Sequence, residues 1–135
     1  MPTQRSKPQP TDAELSILKV LWDLGPSTVR QVHETLQQTQ ASKTGYTTVL
    51  KLMQIMAQKE IVDRDESNRS HVYTAVRSRE NTQQSIVGTL IDKTFSGSTA
   101  QLVLSALSAK PASAKELAEI RAMLNEADSQ RRGSK

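Results

Sequence analysis

The hydrophobic pattern of this chain changes period once, near residue 60, and that change limits the folds open to it. Before it, apolar residues recur at helical spacing in three successive stretches. Ile17, Leu18, Leu21, Trp22 and Leu24 form the first stripe, Val29, Val32 and Leu36 the second, and Val49, Leu52, Met53 and Met56 the third. After it, Ile61–Asp65 and Ser70–Val76 are short β-prone runs flanking the polar tetrad Glu66-Ser67-Asn68-Arg69. Two such runs around a polar turn predict a hairpin. Three short helices followed by a two-stranded ribbon is the order of a winged helix-turn-helix.

Local signals set the boundaries. Thr11 with Glu14 three residues later is a capping box and starts the first helix, which Gly25-Pro26 ends. Ser27 or Thr28 caps the second helix, Gln37–Thr44 reads as a loop, and Gly45 precedes a third helix over Tyr46–Lys59. From Ser78 onward the pattern is helical. Ile86, Val87, Leu90, Ile91 and Phe95 share one side of a helix that Ser96-Gly97-Ser98 breaks. Leu102, Val103, Leu104, Ala106 and Leu107 form a short apolar helix ending at Lys110-Pro111-Ala112. Ser113 with Glu116 is a second capping box, opening a helix that carries Leu117, Ile120, Met123 and Leu124. The expected class is mainly α with a small β-hairpin. The expected order is a flexible basic arm over 1–10, a winged-helix domain over 11–77, a helical dimerisation domain over 78–128 and a disordered basic tail over 129–135. About 50 residues cannot bury so much apolar surface among themselves. The cheapest partner is a second copy, so Ile86, Leu90, Ile91, Phe95, Leu102, Val103, Leu104, Leu107, Leu117, Ile120 and Leu124 are expected to form a homodimer interface.

Composition narrows the function. The chain has no cysteine, which removes disulfides, thiolate metal sites and thiol nucleophiles together. Two histidines leave little for a metal centre, no H-E-x-x-H spacing exists, and neither a nucleophile elbow nor a phosphate-cradling glycine loop is present. No catalytic residue, metal or cofactor is expected. No apolar run reaches the roughly 18–20 residues of a membrane span and no charged-then-apolar leader opens the sequence, so the expected setting is cytoplasmic with no membrane partner. The formal charge is +4. Arg5 and Lys7 in the arm and Arg131, Arg132 and Lys135 in the tail supply five of the 18 basic side chains, leaving 13 against 14 acidic ones in residues 11–128. Bulk charge therefore argues weakly for nucleic acid, and the placement of individual cations decides.

The third helix has such a placement. Thr47, Lys51, Gln54 and Gln58 recur at i, i+4, i+7 and i+11 opposite the apolar stripe, Thr48 lies beside them, and no acid interrupts the face before Glu60. Lys bonds guanine or phosphate, Gln bonds adenine in a bidentate manner, and Thr meets a base edge, a methyl or a phosphate. Arg69 stands at the hairpin tip with Arg64 nearby, within reach of phosphate or minor groove, and strand alternation is expected to separate Arg64 from its acidic neighbours. Arg30, Lys43 and Tyr46 complete the candidate DNA-contacting set.

Thr11-Asp12-Ala13-Glu14-Leu15, Val20-Leu21-Trp22, Val29-Arg30-Gln31-Val32-His33, Gly45-Tyr46-Thr47-Thr48-Val49-Leu50 and His71-Val72-Tyr73 resemble the BlaI/MecI/CopY family of bacterial transcriptional repressors. The resemblance runs from about Thr11 to Leu124. It implies a winged-helix DNA-binding domain with Tyr46–Lys59 as recognition helix, a C-terminal dimerisation domain and repression at an inverted-repeat operator; cutting of region 96–112 by a regulatory protease is the expected route of release. The chain departs from the family at three places. It lacks the cysteines of the copper-responsive branch. Ser105-Ala106 stands where the β-lactam-responsive branch has a cleavable Asn-Phe bond, and Ile55 follows Gln54 where many relatives carry Arg.

The expected mechanism is a homodimer placing two recognition helices in successive major grooves of a palindromic double-stranded operator, with half-site centres about 34–36 Å apart or a multiple of that. The alternative is a dimeric winged-helix adaptor that binds protein and no DNA.

Overall fold

Thr11 opens helix α1 (Asp12–Leu24) in the computed structural model, which describes residues 9–39 and 44–133. Its hydroxyl accepts the Glu14 N–H at 3.2 Å and the Glu14 carboxylate accepts the Thr11 N–H at 3.0 Å, so two otherwise orphaned amides are satisfied reciprocally. Gly25 ends the helix at φ +87°, a left-handed backbone that a side chain would strain.

The next two residues do two jobs. Ser27–Thr28 form a short strand, β1, and Thr28 also caps α2 (Val29–Thr39). The cap is reciprocal: the Gln31 N–H donates to the Thr28 hydroxyl at 3.2 Å and the Thr28 N–H donates to Gln31 Oε1 at 2.8 Å. Helix α2 runs to Thr39, three residues into the stretch expected to be loop from Gln37. Helix α3 (Tyr46–Gln58) follows, then β2 (Val62–Asp65) and β3 (Val72–Ala75). The ribbon is therefore one part of a three-stranded antiparallel sheet ordered β1-β3-β2. Tyr73 is its central residue, opposite Ser27 on one side and Arg64 on the other.

One face from each element meets in a single core. Ile17, Leu18 and Leu21 of α1, Val32 and Leu36 of α2, Val49, Met53 and Met56 of α3, and Val62 and Tyr73 of the sheet are all buried. Burial of this apolar area, worth about 1.5–3 kcal/mol per large side chain, holds the helices against the sheet.

Helix α4 (Arg79–Thr94) starts at Ser78, whose hydroxyl accepts the Asn81 N–H at 3.0 Å. The chain divides into two compact units within this helix, the first ending at Gly88 and the second beginning at Thr89. The expected junction was Ser78. The first turns of α4 stay with the winged helix for a physical reason. Thr82 is buried, Ser85 accepts a hydrogen bond from Gln9 Nε2 at 2.9 Å, and the Arg79 guanidinium lies 5.6 Å over the Trp22 ring while pairing with Asp23. Trp22 Nε1 donates to the Arg77 carbonyl at 3.0 Å, clamping the exit from the sheet. Gln9 and Pro10, expected to belong to the free arm, thus sit against this unit; residues 1–8 lie outside those described.

The second unit holds the end of α4, then α5 (Thr99–Ala109) and α6 (Ala114–Gly133). Ser96 and Gly97, both at positive φ, make the break, and Ser98 caps α5 by accepting the Gln101 N–H. The second capping box is formed, with Ser113 and Glu116 bonding each other's backbone N–H at 2.9 and 3.1 Å. Helix α6 runs on to Gly133, so residues 129–133, expected to be a disordered tail, continue the helix. Polar side chains such as Gln130, Arg131 and Arg132 are good helix formers, and Arg131 and Arg132 favour the negative end of the helix dipole. Among the described residues no helix is long and apolar enough to cross a membrane.

Candidate DNA interface

Helix α3 sorts its side chains by face. Val49, Met53 and Met56 are completely buried, while Thr47, Thr48, Lys51, Gln54 and Gln58 are exposed. The anchored stripe fixes which way the exposed face looks. That face carries one formal charge, the Lys51 ammonium, and no acid; none of the described residues pairs with it. Gly45, the cap residue of α3, contributes no side-chain hydrogen bond to the helix start. Ile55, between Gln54 and Met56, is half-buried.

Both ends of α3 are tied to neighbouring helices. At its end, Lys59 Nζ donates to Glu14 Oε2 at 2.9 Å. Glu14 is only 2% exposed, and its other oxygen serves the capping box, so this one carboxylate links the start of α1 to the end of α3. Sequence reasoning found Glu14 as a cap residue and missed the second role, because the partner lies 45 residues away. At the beginning of α3, the Tyr46 ring meets the His33 imidazole edge to face, with centroids 5.7 Å apart at 81°. Tyr46 remains 43% exposed.

The remaining candidates separate. Arg30, on α2, and Arg69, at the hairpin tip, are exposed, with no ion-pair partner among the described residues. Lys43 lies outside the described residues. Arg64 is not separated from its acidic neighbours: Nε pairs with Glu66 Oε2 at 2.7 Å. Alternation sends Asp63 and Asp65 to the other face but brings i+2 to the same one. The adjacent Tyr73 side chain, and then Glu66, raise the Arg64 pKa above its ordinary value. Asp65 is occupied too, accepting the Ser67 hydroxyl at 2.6 Å and the Ser67 N–H at 2.9 Å. These bonds shape the turn and hold the carboxyl below its usual pKa. The acids at the tip therefore build the wing, and Arg69 is the cation it presents outward.

The residues expected at a dimer interface share one property. None of Ile86, Leu90, Ile91, Phe95, Leu102, Val103, Leu104, Leu107, Leu117, Ile120 and Leu124 is buried, and α5 and α6 contain no buried residue at all. Leu104 is 60% exposed and Leu124 59%.

Residues 10–126 match the family model described as Penicillinase repressor. The chain belongs to the penicillinase repressor family. The family match thus takes in the winged helix and most of the helices after it. Two curated relatives, each a transcriptional regulator BlaI from a strain of Mycobacterium tuberculosis (CDC 1551 / Oshkosh and ATCC 25618 / H37Rv), are 34% identical over 82 residues. That stretch is 60% of this chain and 56% of each relative, so the match spans a little over half of their length. A solved structure, the solution structure of the DNA binding domain of the repressor BlaI, aligns at 24% identity with a TM-score of 0.49, covering 58% of this chain and 93% of that one.

Proposed function

We propose that this penicillinase-repressor family member is a sequence-specific DNA-binding transcriptional repressor that acts as a homodimer on a palindromic operator. The observation that carries the reading is the outer face of α3: exposed, free of acids, centred on Lys51, which pairs with none of the described residues, and held in place by three buried residues of the same helix. Thr47, Thr48, Lys51 and Gln54 read or position bases, while Arg30, Tyr46 and Arg69 hold phosphates. The uncovered apolar faces of α4, α5 and α6 support dimerisation, since water-exposed leucines at this density gain by covering one another. Cleavage in the region 96–112 would disconnect that interface and release the operator without touching the reading helix.

Gln54→Ala is expected to cost about 1–3 kcal/mol on the preferred operator and to relax selection at one base pair. Competition binding against operators varied one position at a time checks this; equal losses on specific and non-specific DNA would remove Gln54 from base reading. Arg69→Ala is expected to weaken binding to all sequences alike and to lower the slope of log affinity against log salt by about one. A titration series across salt concentrations measures that slope. The same series tests the adaptor reading, which requires binding to DNA to be absent or independent of salt.

A further inference from the structure

The start of α3 has a polar tether to α2 that neither the core nor the reading face requires. Gln37 Nε2 lies 3.0 Å from the Thr44 carbonyl oxygen and 3.3 Å from His33 Nε2. A carbonyl only accepts, so the Gln37 group facing Thr44 is the NH₂ and not the amide oxygen. That nitrogen has one hydrogen left for His33 Nε2, which accepts it in the tautomer that carries its proton on Nδ1.

We infer that Gln37, steadied by His33, is a positioning residue for base reading: it ties the chain just before α3 to α2 and so sets the helix's first turn. The inference rests on the DNA-binding reading above. Thr44 precedes Gly45, which brings no side-chain cap, and Tyr46, whose ring packs on the same His33. Thr47 and Thr48 come next, and in helix-turn-helix proteins the first residues of the recognition helix contact base edges. An error of orientation at Thr44 is thus passed directly to the reading residues, while the buried stripe keeps the helix folded.

The test uses the full chain, a duplex it selects from a randomised pool, and poly(dI-dC) as the non-specific competitor. A wild-type chain that selects no duplex overturns the DNA-binding reading and this inference with it. If it does select one, Gln37→Glu decides the inference alone, because a carboxylate matches the amide in shape but cannot donate to Thr44. The ratio of specific to non-specific affinity should fall about fivefold, with non-specific affinity and melting temperature nearly unchanged. An unchanged ratio, or a parallel loss on both DNAs, overturns it.

Discussion

Leu104→Asp is expected to leave a folded monomer that has lost most of its operator affinity. In a single copy Leu104 is 60% exposed on a helix with no buried residue, so a carboxylate there disturbs no contact of the chain's own core. In the proposed dimer the same position is covered, and burying an unpaired charge is far more costly than any single leucine contact is favourable. The monomer keeps one reading helix. It forfeits the second half-site, whose binding in the dimer is intramolecular and adds about 10²–10⁴ to the overall affinity. Sedimentation velocity reads the first effect and anisotropy titration of a palindromic duplex the second. A Leu104→Asp protein that remains dimeric places the interface elsewhere. A monomer with undiminished affinity would show that one head suffices and that symmetry plays no part in binding.

How much of this was visible in the sequence depends on the range of the contacts. Capping boxes are closed within four residues, and both boxes at Thr11 and Ser113 form as the spacing predicts. The stripe Val49, Met53, Met56 is a property of one helix, so the opposite face with Lys51 and Gln54 could be read from spacing alone. Strand β1 could not be read that way. Two residues carry no period, and Ser27–Thr28 become a strand only because β3, some 45 residues later, offers a free edge. The Glu14–Lys59 pair and the Trp22–Arg77 clamp are likewise long-range and leave no local mark. Arg64 shows a different failure. Its neighbours are plain in the sequence, but the choice between phosphate and Glu66 rests on which side chains share a face: alternation turns Asp63 and Asp65 away, and the same period of two brings Glu66 back.

Tyr73→Ala is expected to cost about 3–5 kcal/mol, a large part of the roughly 5–15 kcal/mol that holds a domain of this size together. The ring is 1% exposed and stands at the centre of the sheet, opposite Ser27 of β1 and Arg64 of β2. Removing it opens a cavity among Val62, the α1 stripe and the α3 stripe, which hydrophobic burial alone keeps joined. It also leaves Arg64 with Glu66 as its remaining partner, so the hairpin loses its attachment to the core and one of its internal restraints together. Urea denaturation followed by tryptophan fluorescence measures the loss, since Trp22 donates to the chain as it leaves the sheet. Tyr73→Phe separates the two contributions. It keeps the ring and should cost about 1 kcal/mol for the hydroxyl. If Tyr73→Ala cost no more than Tyr73→Phe, the wing would be an appendage and not part of the core. With the larger loss, the position of Arg69 depends on the same packing that orients α3, and at temperatures where Tyr73→Ala begins to loosen, the salt slope and selection by Gln54 should fall together.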